Sequence, residues 1–354
     1  MADSLKAVRR FLTDKGYDVF LGSSSFTRRY LTGFTGSSGC LWISRDSQAL
    51  ITDFRYMEQA GKQCPDWQIV QHDDLIDTLK QMAAEQNVKQ IAVEGDHVSV
   101  NTFREWERVL PASLTAVKGV VEDLRKQKTD NELAAIRRAA DIADQAFAAV
   151  LPSVRPGASE RAIALELEFT MRRLGASAVS FAPIVGSGVN GALPHARPSE
   201  KRLQAGDFVV LDFGCVFDGY CSDMTRTLLI SPATDKHHAI YDCVLRAQTA
   251  GLAAVTVGRL GREVDAAARD VIESAGYGEY FGHGLGHGVG LEIHEEPRLS
   301  KKGETPLAEG MVVTVEPGIY LPEFGGVRIE DLVVVTIDGA EVLSQTPKEL
   351  IVIE

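Results

Sequence analysis

Sulfur is scarce in this chain of 354 residues, and what there is lies scattered. The five cysteines (Cys40, Cys64, Cys215, Cys221 and Cys243) are odd in number and form no Cys-x-x-Cys. A disulfide framework is therefore not the organising device, and a reducing cytoplasm is the expected compartment. No apolar run approaches the roughly 20 residues of a membrane span. The opening 16 residues are amphipathic and lack the apolar centre of a signal peptide. Positive charge is also short. Against 49 Asp and Glu stand 37 Lys and Arg, a net charge of −12, which disfavours nucleic acid and anionic membranes as partners. There is no GxxxxGK[ST], and no GxGxxG in strand–loop–helix context, so the Gly/Ser-rich residues 30–39 read as a structural loop rather than a phosphate cradle. Repeats of 20–50 residues and low-complexity tracts are missing as well.

What is present is ordinary in bulk and particular in detail. Apolar residues make up 45% and charged residues 24%, and the length suffices for two domains. Residues 3–16 carry Leu5, Val8 and Leu12 at helical spacing, with Gly16 as a stop. Strands are expected at 18–21, 40–43, 49–52 and 90–93, and helices at 74–86 and 102–109, which makes a small α/β unit. The charged stretch 121–131 reads as a boundary, giving domains 1–122 and 123–354. Thr129 and Glu132 form a capping box that opens a long helix to Val150. Further helices are expected from the Ser159 cap to Gly175, at 236–256 and at 262–275. Long helices interspersed with hairpins predict an α+β domain with an antiparallel sheet flanked by helices.

The second domain turns on residues 209–227, VVLDFGCVFDGYCSDMTRT. Asp218-Gly219 between apolar runs is a strong hairpin signal. A two-residue turn there makes facing residues sum to 437 (218 + 219), so Asp212 faces Thr225 and Asp223 faces Gly214. Asp212 and Asp223 then share a face as diagonal neighbours, roughly 7–8 Å apart. Two carboxylates converging from apolar strands repel unless a cation lies between them, and a divalent metal is the economical choice. The alternative is a solvated hairpin in which Asp212 pairs with Arg226 and Asp223 caps a turn. Cys215 and Cys221 sum to 436, which argues for a slightly longer turn; both read as small buried apolar residues rather than ligands.

Of the eight histidines, three lie in the glycine-interleaved residues 282–294 (His283, His287 and His294), and His195 follows Leu193-Pro194. In extended chain His283 and His287 face one way, and His294 has the opposite parity unless the chain bulges. Glu316 ends an apolar run before Pro317-Gly318, and Arg328 and Glu330 share a face opposite Val327, Ile329 and Asp331. Either glutamate alone could be a paired surface residue, Glu330 with Arg328. Together with the aspartates and one imidazole they make four oxygen ligands and one nitrogen, a set for hard or borderline divalent ions.

These motifs resemble a known family. The separation of Asp212 and Asp223 (223 − 212 = 11), SDMTRT at 222–227, HGLGHGVGLEIHEEP at 283–297, EPG at 316–318 and VRIED at 327–331 look like the pita-bread dinuclear metallopeptidases, which include aminopeptidase P, prolidase, methionine aminopeptidase and creatinase. YLTGFTGSSG at 30–39 and LITDFRYMEQA at 50–60 resemble the creatinase-type N-terminal domain. The likeness departs at residues 26–29, where Thr27 and Arg28 replace the usual Asn-Ile or Asn-Val. That region can approach a neighbouring subunit's site in such enzymes, so substrate length stays open.

The resemblance implies Asp212, Asp223, His287, Glu316 and Glu330 as metal ligands, with Asp223 and Glu330 bridging two divalent ions, manganese foremost and cobalt, zinc or iron as alternatives. It implies His195, His294 and Glu316 as catalytic groups and His283 and Arg328 as outer partners, Arg328 orienting Asp223 or Glu330. His195 and Arg298 would bind substrate. The expected activity is metal-dependent cleavage of an N-terminal residue from proline in Xaa-Pro peptides, by a homodimer. A prolidase restricted to dipeptides is the alternative, and a non-catalytic binding module the remote one, since such modules have substituted ligands and all five are present here.

Overall fold

Val8 and Leu12 are fully buried on one side of the opening helix, Ala2–Lys15, which covers a six-stranded sheet. The computed structural model describes residues 2–354 and divides into two compact units with the break after Arg125. In the first unit the strands run in the order Gln68–Gln71, Gln48–Thr52, Cys40–Ser44, Val19–Gly22, Gln90–Glu94 and Ser113–Val117. The Cys40–Ser44 strand is antiparallel to both its neighbours, and the remaining pairs are parallel. Residues 30–39 differ from expectation, because their first three belong to a helix, Ser25–Thr32. Ser24 caps it and Gly33 closes it at φ +78°. Its periodicity is weak because three of its four buried positions, Thr27, Arg28 and Thr32, are polar and only Leu31 is apolar. Thr27 donates to the buried Glu94 carboxylate, and Arg28 to the carbonyls of Ser23 and Gly39. The departures at Thr27 and Arg28 thus serve the interior of this unit.

In the second unit, helices Asp130–Val150 and Glu160–Arg173 pack their apolar faces on a sheet of four strands ordered Ile351–Ile353, Met224–Ile230, Phe208–Phe213 and Ile184–Ser187. Helices Asp235–Ala254 and Gly261–Ser274 cover a second core with Val313, Val315, Val333 and Val335 from a five-stranded sheet. The expected capping box at Thr129 is formed, its backbone N–H donating to Glu132 at 2.9 Å. Strand pairs in this unit are antiparallel among the described residues, save Met224–Ile230 beside Ile351–Ile353. The hairpin has the predicted register: Asp212 faces Thr225, and Val216 faces Cys221. Asp218 and Gly219 sit at φ +44° and +77°, a two-residue turn of type I′, so the longer turn suggested by the cysteines does not occur.

Candidate metal centre

Asp212 and Asp223 lie near the facing ends of the paired strands Phe208–Phe213 and Met224–Ile230, and both are buried. Between them the chains nearly touch, since a Cβ on Gly214 would stand 1.9 Å from the carbonyl oxygen of Ser222. His287 occupies the middle of the short strand Gly286–Gly288, seated between Glu295–Leu299 and Val312–Val315. Glycine is required beside it: a Cβ on Gly286 would lie 2.0 Å from the Thr314 carbonyl oxygen. Glu316 follows Val312–Val315 directly, and Glu330 sits in the break between Gly325–Arg328 and Asp331–Thr336.

Asp223, His287 and Glu330 offer donor atoms within 4.8 Å of one another. His287 Nε2 also lies 3.3 Å from Glu316 Oε1. His287 Nδ1 lies 3.0 Å from the Gly288 carbonyl, which fixes the proton there and leaves the Nε2 lone pair facing the carboxylates. Thr225 donates to Glu330 at 2.6 Å, and Thr314 to Glu316 at 3.0 Å. Burial, and then the neighbouring carboxylates, hold Asp223 and Glu330 well above the usual carboxylate range. Burial pushes Glu316 up to about 7. His287 is driven down to about 3, first by burial and then by His294. Four carboxyl groups and one imidazole in a dry setting are short of positive charge. Asp212 Oδ1, buried and without a hydrogen-bond partner, is a further sign. Thiols take no part: Cys215 and Cys221 turn their sulfurs to the carbonyls of Ala139 and Leu291, and burial raises them to about 11 and 12. The residues present therefore fit divalent cations that favour oxygen and imidazole.

Around the cluster, Arg328 reaches Asp212 at 2.6 Å rather than Asp223 or Glu330. Neither alternative pairing from sequence is formed. Arg226 binds Asp331 on the other face of that strand, not Asp212, and Glu330 bonds to Thr225, not Arg328. His283 Nε2 lies 2.9 Å from the hydroxyl of Tyr320, which accepts from Arg328 at 2.7 Å. A cavity of about 500 Å³ opens over the cluster, and His195, His283, His294, Arg298 and Arg328 all line it with the four carboxylates and His287. The chain bulges between His287 and Gly288 and leaves the strand, so His294 returns to the same side, its ring 4.3 Å from that of His287. Sequence reasoning missed Tyr320, which Pro317-Gly318 disguises by interrupting the strand pattern after Glu316. It named no role for Thr225, although the hairpin register already put it opposite Asp212. Phe181, Pro183, Ile184, Pro194 and Pro198 form an apolar wall that no spacing rule announces.

Buried carboxylates around one imidazole, open on one side to a cavity, are the kind of site that metal-dependent hydrolases use. The comparisons agree. The chain belongs to metallopeptidase family M24, whose profile matches residues 134–337, and the creatinase/prolidase N-terminal domain profile matches residues 5–127. An uncharacterized peptidase of Bacillus subtilis, YqhT, is 45% identical over 99% of both chains. The solved Xaa-Pro dipeptidase from Bacillus anthracis superposes with a TM-score of 0.97 at 46% identity, covering 99% of each chain. The X-Pro aminopeptidase from Thermotoga maritima gives 0.90 at 38% identity, covering 96% of this chain and 98% of its own. The architecture is accordingly a creatinase-type N-terminal domain followed by an α+β pita-bread metallopeptidase domain.

Proposed function

We propose that this metallopeptidase hydrolyses the bond between an N-terminal residue and proline. The observation that carries the reading is the cluster of Asp212, Asp223, His287, Glu316 and Glu330 beneath a cavity that His195, His294 and Arg298 also line. The names of the B. anthracis and T. maritima relatives support the same bond. All five donors being present argues against a non-catalytic module. Those residues would hold two divalent ions, manganese first and cobalt, zinc or iron as alternatives, which supply an acidified water and a Lewis acid for the carbonyl. The chain's own groups do the rest. By the family resemblance, Asp223 and Glu330 would each help to hold both ions. Glu316 takes the attacking water's proton on its carboxylate and returns it to the proline nitrogen. His294 donates to the carbonyl oxygen as it gains charge, and His195 orients the substrate. An Xaa-Pro bond has no N–H and a locked φ, so it is gripped by shape instead. The apolar wall of Phe181, Pro183, Ile184, Pro194 and Pro198 suits a pyrrolidine ring. The same reading takes the protein as a cytoplasmic homodimer. Five free, buried cysteines suit a reducing compartment, and the dimer follows from the family resemblance.

A second reading, restriction to dipeptides, is favoured by Arg298, an exposed guanidinium at the cavity that suits a free carboxylate. The test assays manganese-loaded protein on a Xaa-Pro dipeptide and a Xaa-Pro-Xaa tripeptide, with Asp223→Asn and Arg298→Ala alongside. Tripeptide cleavage is the expected result. Cleavage of the dipeptide alone, weakened about 10–100-fold in Arg298→Ala, establishes the second reading. No cleavage of either, or full activity of Asp223→Asn, refutes both.

A further inference from the structure

Among the described residues, one fully buried carboxylate outside the cluster has no ion-pair partner. Glu160 is the first residue of the helix Glu160–Arg173 and is 0% exposed. Its Oε1 accepts from the Ser187 backbone N–H and hydroxyl, each at 2.8 Å, and its Oε2 from the Ser199 N–H at 3.1 Å and hydroxyl at 2.6 Å. The Asn190 amide bonds to both oxygens at 3.1 Å. Lys201, the nearby cation, goes to the Ser187 hydroxyl and to Asp207 instead. Burial alone would lift such a group, but the hydrogen bonds of Ser199 and Ser187 hold it below the usual glutamate value.

A lone buried anion is a costly way to stabilise a core, where an apolar side chain of similar volume does as well. What sets Glu160 apart is where its donors come from. Ser187 ends the strand Ile184–Ser187, whose Ile184 faces Asp212. Ser199 lies in the chain that follows the 3-10 helix Gly188–Ala192, and between the two serines lie Pro194, His195, Ala196, Arg197 and Pro198, all lining the cavity. The same segment also touches the outer partners of the cluster, since the Pro194 carbonyl accepts from Arg328 at 3.3 Å. Elsewhere it is held by turns of its own, Leu193 to Asn190 and Ala196 to Leu193, and at its ends by the backbone, Ser187 pairing with Val209 and the Ser199 carbonyl accepting from the Arg161 N–H at 3.0 Å. It has no β-ladder of its own to fix His195.

We propose that Glu160 is the positioning residue of this wall: one carboxylate ties both ends of the segment 187–199 and so sets where His195 meets the substrate. The proposal rests on the reading of His195 as a substrate-side group. Glu160→Gln keeps the shape but turns an amide N–H₂ towards donors. It is expected to lower kcat/KM by about 10–100-fold with metal content unchanged. Because Glu160 acts through His195, the two effects must not multiply. Adding His195→Asn to Glu160→Gln is expected to cost less than about a third of the factor it costs in the wild type. Backbone hydrogen exchange across 188–199 is expected to quicken in Glu160→Gln, and this readout needs no substrate. Ser199→Ala removes one donor and leaves the charge, so it serves if Glu160→Gln does not fold. It is expected to lose about fivefold with the same coupling to His195. Multiplying effects, or exchange across 188–199 at the wild-type rate, overturns the proposal. Failure of the wild type to cut any Xaa-Pro peptide overturns the activity instead, and the exchange result still decides the role of Glu160.

Discussion

Arg328 binds the candidate centre to its surroundings through every arm of its guanidinium. Nη2 holds Asp212, Nη1 meets the Tyr320 hydroxyl and the Pro194 carbonyl, and Nε donates to Thr225 at 3.1 Å. A planar fork makes these contacts in one geometry, and an ammonium cannot. Arg328→Lys is therefore expected to lower metal affinity or kcat/KM by about 10–100-fold while the protein stays folded. Metal titration followed by calorimetry reads this directly, and wild-type affinity together with wild-type turnover would refute the assigned role. That Arg328 lies beside the cluster was legible from its parity with Glu330. That it chooses Asp212 was not, because parity gives the face and only the packing of two separate hairpins gives the partner.

Among the elements, the hairpin from Phe208 to Ile230 places two of the five donors, and it was the most legible because its register follows from turn chemistry alone. Its weak point is Gly214, where the neighbouring chain leaves no room for a side chain. Gly214→Ala must force the strands apart between Asp212 and Asp223. A loss of about 1–3 kcal/mol in stability is expected, with a larger fall in metal affinity than in melting temperature. Parallel denaturant and metal titrations check this, and a variant that binds metal normally would show that the close approach is dispensable. The stretch holding His287 and His294 behaved differently. A bulge and a departure from the strand reverse the parity of His294, and such irregularities carry no period to read. The helix Ser25–Thr32 escaped for a related reason, its interior contacts being hydrogen bonds of Thr27 and Arg28 rather than an apolar stripe.

Across the whole molecule, the gathered carboxylates tie stability to metal and to pH. In the metal-free protein Asp223 and Glu330 are held well above their ordinary values and Glu316 at about 7, so the fold keeps protons that the unfolded chain has released by about pH 5. A native state that binds more protons than the unfolded one loses stability as pH rises. His283 and His287, lowered by burial to about 4 and about 3 from 6.5, work the other way on the acid side only. Between about pH 7 and 9 they are neutral in both states. The metal-free protein is therefore expected to melt at a lower temperature at about pH 9 than at about pH 7. Saturating manganese is expected to flatten that slope and add about 4 kcal/mol at a thousandfold excess over Kd. A pH-independent melting temperature after chelation would mean that the carboxylates do not share one site.

The residue types of the candidate centre, the hairpin that pairs two of them and the kind of ion they suit were set by the sequence, because local turn chemistry and strand parity act over a few residues. Which groups meet across long separations was decided by the tertiary structure. Glu160 tying Ser187 to Ser199, Tyr320 between His283 and Arg328, and His294 turned back beside His287 each depend on how separate elements pack. The physical reason is one of range. Periodicity and caps record the preferences of a single element, whereas a buried polar contact is a property of two elements brought together by burial of apolar surface that neither specifies alone.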